Sequence, residues 1–220
     1  MIDYAQARRT MVDGQVRVND VTDAAVIAAM LEVPREKFVP EARAGLAYID
    51  DDLCVQDAAS GKAARYLMEP MVLAKLLQAL ELTPESKVLD VGCATGYSAA
   101  VLGRIAGSVV ALEEEPALAA AAGKLVKAPN VEIVTGKATA GWAAKAPYDA
   151  ILIGGAVEEV PQALTSQLKD GGRLAAVIRK GSAPKATLYV RTGGHVSARR
   201  LFDAAIPPLP GFEAAETFVF

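Results

Sequence analysis

The sequence predicts an α/β protein built on a doubly wound, mainly parallel sheet, and three observations support that prediction. Five runs along the chain are predominantly apolar, which is typical of parallel strands buried on both faces; they are Val88–Val91, Val109–Leu112, Val131–Val134, Ala150–Ile153 and Leu174–Ile178. The segments between them are long enough to cross over the sheet, and Tyr97–Ile105 and Pro116–Val126 favour helix. A late Gly-Gly turn predicts an antiparallel hairpin after the parallel strands.

The N-terminal part has a different character. Residues 1–62 are predicted to form a helical extension packed on a core domain of residues 63–220. Within the extension, apolar spacing predicts a helix from Val21 to Leu31, which Pro34 ends. The run Gln56 to Lys62 is rich in small and polar residues, so it is interpreted as an exposed connection and marks the boundary.

The remaining elements follow from periodicity and turn residues. Pro70 is a favourable first helical residue, and the leucines at 73, 76, 77 and 80 form one buried helix face. The antiparallel hairpin is predicted from Ala186–Arg191 and Val196–Leu201. A last strand is predicted at Glu216–Phe220.

Composition excludes several classes of function. The 220 residues carry 23 Lys plus Arg against 26 Asp plus Glu, a net charge of −3, so no nucleic-acid partner is expected. Two cysteines and one histidine are too few for a disulfide framework, a zinc site or a His-centred triad, and no metal is expected. There is no secretory or membrane-spanning apolar segment. The sequence therefore predicts a soluble cytoplasmic protein without a membrane partner, either a monomer or a homodimer.

The sharpest local signal is the loop after the first predicted core strand. Asp90 ends the strand, and Gly92 and Gly96 precede a helix. Small residues let the backbone approach a ligand, and a helix start offers N–H donors. A dinucleotide fingerprint requires glycine where this chain has Ala94 and Tyr97, so a pyrophosphate fits badly. No Gly-Lys pair in the sequence has phosphate-loop spacing.

The second strand of this core supports an adenosine ligand without phosphates. It ends in Glu113-Glu114-Glu115, and a strand-end carboxylate can accept both ribose hydroxyls. Together with Asp90, this pattern is typical of S-adenosylmethionine-dependent methyltransferases. The alternative interpretation is a helix-capping loop followed by a solvated acidic run.

Several strings in family order resemble the protein-L-isoaspartate O-methyltransferase family, from about residue 10 to about residue 180. They include Val33-Pro34-Arg35-Glu36-Lys37-Phe38-Val39-Pro40, the glycine loop, and Gln167-Leu168-Lys169-Asp170-Gly171-Gly172-Arg173-Leu174. The resemblance implies a seven-stranded Rossmann-like methyltransferase sheet, S-adenosyl-L-methionine as cofactor, and methyl esterification of damaged aspartyl residues. Its partners would be peptides or proteins that bear isoaspartyl or D-aspartyl residues. It implies a cofactor site formed by Leu67, Asp90, Gly92, Cys93, Ala94, Gly96, Tyr97, Glu113, Glu114, Gly136, Lys137 and Ala138.

The chain departs from the family pattern at three positions. One is Ala94, where the family's loop has glycine and little more than a tighter fit is expected. A family Gln-Thr-Ile-Ser-x-Pro string is here Arg65-Tyr66-Leu67-Met68-Glu69-Pro70, so Met68 stands where a serine would contact the reacting carboxyl. A thioether cannot donate that hydrogen bond, and Arg65 or Tyr66 is the hypothetical replacement. Lys137 stands where an acid would contact adenine, so backbone groups near Ala138 are expected to hold the base. Two alternatives stay open: a methyltransferase with another acceptor, and a non-catalytic cofactor-binding module.

Overall fold

The central feature of the protein is a seven-stranded sheet, seen in a computed structural model that describes residues 2–59, 61–181 and 183–213. Its strands are β3 (Lys87–Val91), β4 (Ser108–Glu113), β5 (Val131–Thr135), β6 (Tyr148–Val157), β7 (Leu168–Ile178), β8 (Lys185–Thr192) and β9 (His195–Asp203). Their spatial order is β5-β4-β3-β6-β7-β8-β9. The first five strands are parallel, β8 is antiparallel to β7, and β9 is antiparallel to β8. This topology confirms the doubly wound sheet with a late hairpin.

Six α-helices accompany the sheet in the described part of the chain: α1 (Tyr4–Met11), α2 (Ala24–Glu32), α3 (Pro70–Ala79), α4 (Tyr97–Leu102), α5 (Pro116–Leu125) and α6 (Gln162–Thr165). Helix α3 begins at Pro70 and buries the predicted leucine face. Helix α2 begins three residues later than predicted because the Asp23 carboxylate caps it, accepting from the N–H groups of Ala25 and Val26 at 2.8 and 3.1 Å.

Strands β6 and β7 extend well beyond their predicted apolar runs. The two strands already pair at Tyr148 and Leu168, and the ladder continues to Val157 and Ile178 with irregular register on the way. Backbone hydrogen bonds between the two strands extend them through glycine and polar residues, which an apolar pattern does not predict as strand.

A second, two-stranded sheet was not predicted. Strand β1 (Leu53–Gln56) pairs antiparallel with β2 (Arg65–Leu67), so pairing crosses the predicted boundary at residue 62. Extension residues such as Met11 and Phe38 also belong to the same hydrophobic cluster as the buried face of α3. The division into two domains stays a prediction.

The chain beyond β9 returns to the sheet. The N–H of Ala156 donates to the Pro207 carbonyl at 2.9 Å, and the N–H of Leu209 donates to the Ala156 carbonyl at 2.8 Å. The strand predicted at Glu216–Phe220 lies outside the described residues. No helix in the described ranges combines the length and apolarity needed to cross a bilayer.

Candidate functional site

The glycine loop lies at the carboxyl end of β3 and has a backbone that few residues tolerate. Gly92 and Gly96 adopt φ of +77° and +95°. The positive φ at Gly92 favours glycine, and a Cβ there would lie 2.7 Å from Leu209 Cδ1, so the leucine side chain would have to shift. Ala94 also adopts a positive φ, +51°. Its substitution for a family glycine therefore carries backbone strain, and not merely a tighter fit.

Asp90 contributes a fully buried carboxyl group to the loop. One oxygen accepts from Ser98 Oγ at 2.6 Å, while Oδ1 has no hydrogen-bond partner. Burial raises the pKa of Asp90 from 3.8 to about 7. A buried acceptor without a partner beside a glycine loop is suited to a donor from a bound ligand.

Glu113, at the end of β4, is also fully buried. Its carboxylate accepts from the backbone N–H groups of Ala94 at 2.8 Å and Glu115 at 3.0 Å. The guanidinium of Arg65 forms a two-pronged ion pair with the same carboxylate, with Nη2 to Oε2 at 2.8 Å. The structure thus brings together two residues that were predicted to serve different ligands, Glu113 for the ribose and Arg65 for the acceptor.

Residues that follow β4 and β5 form the side of the site away from β3. Glu114 Oε2 accepts from the N–H of Ala138 at 3.0 Å, and Gly136 packs closely against the Trp142 ring. Lys137 is exposed and does not line the cavity described below, so its predicted place in the cofactor site stays a prediction.

A cavity of about 210 Å³ joins Glu113, Glu114 and Ala138 to Gly92 of the glycine loop, while Asp90 lies outside its wall. Its walls combine strand-end carboxylates, the Arg65 guanidinium and the chain beyond β9; they include Lys62, Arg65, Gly92, Glu113, Glu114, Ala138, Leu209 and Pro210. The pocket is therefore polar on the strand side and apolar where the C-terminal segment covers it.

A second, smaller cavity lies on the other side of Arg65. It is lined by Asp52, Arg65, Tyr66, Met68, Gly154 and residues 206–209, among others. The Met68 side chain is nearly buried, and Tyr66 is half-buried. The predicted acceptor residues thus share one cavity wall, and Arg65 borders both cavities.

Three other residues predicted for the cofactor site, Leu67, Cys93 and Tyr97, are buried beside the loop, and their contact with the cofactor stays a prediction. Burial raises the pKa of the Cys93 thiol well above its ordinary value, so it is not an activated thiolate. The Tyr97 ring packs edge-on against Phe38, with the ring centroids 5.7 Å apart.

Among the residues that the sequence did not predict for the site, Arg35 supports it from behind and Leu209 lines it. Arg35 is fully buried and donates to the carbonyls of Ala47 and Met68, both at 2.9 Å, while its guanidinium lies 4.7 Å from the Tyr97 ring centroid. The available signal was an arginine within the Val-Pro-Arg-Glu string, where a surface charge is the usual expectation. Leu209 lies beyond the stretch of resemblance and carried no signal.

Known proteins share this chain's sequence and fold over nearly its whole length. The family model described as Protein-L-isoaspartate(D-aspartate) O-methyltransferase matches residues 7–211. A protein-L-isoaspartate O-methyltransferase 2 from Shewanella sediminis is 39% identical over 212 residues, covering 94% of this chain and 84% of that protein. One from Methanoregula boonei is 36% identical over 207 residues, 93% of each chain.

Solved structures agree. A protein-L-isoaspartate O-methyltransferase superposes with a TM-score of 0.80 at 26% identity, over 93% of this chain and 66% of that longer one. A Plasmodium falciparum protein described as a beta-aspartate methyltransferase, solved with S-adenosyl-L-homocysteine, gives 0.76 at 21% identity, over 95% and 99% of the two chains. With a family match over most of its length, relatives above one-third identity and the same fold, this chain belongs to the protein-L-isoaspartate(D-aspartate) O-methyltransferase family.

Proposed function

We propose that the protein transfers a methyl group from S-adenosyl-L-methionine to carboxylates of isoaspartyl or D-aspartyl residues in damaged proteins and peptides. The observation that carries the proposal is the pair of fully buried carboxyl groups, Asp90 and Glu113, at the ends of adjacent parallel strands on either side of the glycine loop. Ligands of open α/β sheets bind at this edge.

The residues present suit the cofactor. The unpartnered Asp90 Oδ1 is an acceptor for the ammonium of an amino-acid portion. Glu113 is the acceptor that we assign to the ribose hydroxyls, and the backbone near Ala138 is assigned to the adenine. These assignments follow the order of the groups along the strand ends, which runs from the Asp90 carboxyl through the glycine turn and the Glu113 carboxylate to the backbone near Ala138.

The chemistry asks little of the protein beyond placement. Bound S-adenosyl-L-methionine supplies an electrophilic methyl group on a sulfonium. An aspartyl-type acceptor has an ordinary pKa of about 3.9, so it is ionised at neutral pH and requires no general base. The roles left to the chain are to orient the acceptor carboxylate and to exclude water. Because Met68 cannot donate a hydrogen bond, we assign carboxylate orientation to Arg65 and Tyr66.

The decisive experiment is methyl transfer to a matched pair of peptides. Methyl-labelled S-adenosyl-L-methionine should label a peptide with one isoaspartyl residue and not the same sequence with aspartate. Glu113→Gln should lower the rate at least about tenfold by weakening a charged hydrogen-bond acceptor of the cofactor. Glu159→Gln, a substitution in an exposed ion pair with Lys180, is the control and should keep the wild-type rate.

A different acceptor is the second candidate, because the position of the family serine holds the nearly buried, apolar Met68 (6% exposed). Tight binding of S-adenosyl-L-homocysteine by calorimetry, with no label on either peptide, would favour either that candidate or a non-catalytic cofactor-binding module over the proposed function. No binding of this ligand would contradict both methyltransferase functions and the cofactor-binding module.

We also propose a cytoplasmic location. The two cysteines, Cys54 and Cys93, are free thiols, which a reducing compartment preserves.

A further inference from the structure

The Glu113 carboxylate has no remaining hydrogen-bonding capacity. An ionised carboxylate offers about four lone-pair positions, and four N–H donors from three residues occupy them. Oε1 accepts from Arg65 Nη1 and the Glu115 N–H, while Oε2 accepts from Arg65 Nη2 and the Ala94 N–H. A ribose that donates two hydroxyls to this carboxylate must therefore displace donors that are already there.

The two donors that a ribose can displace are the guanidinium N–H groups of Arg65. The other two are backbone groups fixed by the glycine loop and by the turn after β4, whereas Arg65 is a long side chain projecting from the three-residue strand β2. Its guanidinium also donates to the Gly92 carbonyl at 3.3 Å, a longer contact that adds little. Ribose binding and the Arg65–Glu113 ion pair are mutually exclusive on this count.

The second cavity is the candidate destination of the displaced guanidinium; at about 10 Å³ it must widen to admit an acceptor carboxylate. Arg65 lies in the wall between the cofactor-side cavity and the cavity lined by Tyr66 and Met68. The other charged residue lining that second cavity is Asp52, so Arg65 is the group there that can attract an incoming carboxylate. Two-pronged binding of a carboxylate suits a guanidinium.

We propose that Arg65 is an exchange residue that couples the two ligands: it holds Glu113 when the cofactor is absent, and the ribose releases it to bind the acceptor carboxylate. This inference rests on the proposed function. It predicts that the cofactor binds first, because Arg65 can bind the acceptor carboxylate only after the ribose has replaced it at Glu113. It also predicts that each ligand tightens the binding of the other.

Calorimetry with S-adenosyl-L-homocysteine and an isoaspartyl peptide tests the exchange without turnover. In the wild type, saturating S-adenosyl-L-homocysteine should tighten peptide binding at least about fivefold. Arg65→Gln, which installs the residue of the resembling family motif, should bind S-adenosyl-L-homocysteine more tightly than wild type and lose the coupling to peptide. Lys180→Gln removes a cation that pairs with Glu159 at the surface and lines neither cavity, so it is the control and should keep the coupling.

The outcomes separate the two proposals. The exchange is overturned if Arg65→Gln binds S-adenosyl-L-homocysteine no more tightly than wild type does. It is also overturned if the peptide affinity of wild type is the same with and without this ligand. Either result leaves the proposed function intact. No binding of S-adenosyl-L-homocysteine by either protein overturns both. If Arg65→Gln does not fold, a crystal structure of wild type with S-adenosyl-L-homocysteine decides: Arg65 still hydrogen-bonded to Glu113 overturns the exchange, and separation of the two supports it.

Discussion

At the scale of single residues, Met68 is the departure that bears most directly on rate. Met68→Ser should raise turnover on an isoaspartyl peptide, by up to about 10²-fold, because it restores a hydroxyl that can donate to the reacting carboxylate. Met68→Ala is the matched control, since it removes the same thioether without adding a donor. Steady-state kinetics of the three proteins would measure the effect. An equal rate for the serine and alanine variants would contradict it.

Asp90 makes stability depend on pH. Its folded pKa of about 7 lies above the ordinary 3.8, so the folded state binds the proton more tightly than the unfolded chain. The free energy of unfolding without ligand should therefore fall as pH rises from about 4 to about 7, by at most about 4 kcal/mol from this group.

The isosteric variant isolates that contribution. Asp90→Asn cannot ionise but can still accept from Ser98, so its advantage over wild type should grow from pH 5 to pH 8 in urea denaturation. Asp52 and Glu69, whose pKa values burial also raises, are present in both proteins and cancel in the comparison. A difference that does not change with pH would contradict the buried, easily protonated state of Asp90.

At the scale of elements, the segment after β9 is the one whose removal should affect binding. Leu209→Ala should weaken binding of S-adenosyl-L-homocysteine, because Leu209 covers Gly92 and lines the cofactor-side cavity. Leu164→Ala is the control: it is equally large, fully buried and outside that cavity. Each should cost about 2–5 kcal/mol of stability, so calorimetry at a temperature where both are folded isolates the binding effect. Equal affinities would contradict the role of Leu209.

The elements that could be predicted are those with a strong local pattern. The buried parallel strands and the face of α3 are apolar in ways that do not depend on their neighbours. The pair β1 and β2 could not be predicted, because strands of four and three residues are stable only through each other and through the core beneath them. The start of α2 depended on a single cap, Asp23, which apolar periodicity does not detect.

At the scale of the whole molecule, the candidate site also has features that the sequence predicts and contacts that it does not. Asp90, the glycine turn and Glu113 follow from spacing within one strand-helix-strand unit, and the structure brings them to one edge of the sheet. The contacts that close the site join residues far apart in sequence: Arg65 with Glu113 across 48 positions, and Arg35 with Met68 across 33. Such pairs arise from packing of the finished fold, for which a single sequence offers no periodic signal.

Because Leu209 follows every strand of the seven-stranded sheet along the chain, the pocket depends on a docking event beyond sheet formation. The residues up to Asp203 carry both carboxylates and the glycine turn, yet one wall of the pocket comes from Leu209, Pro210 and Gly211. A nucleoside therefore meets a complete pocket only when this segment is docked against Gly92.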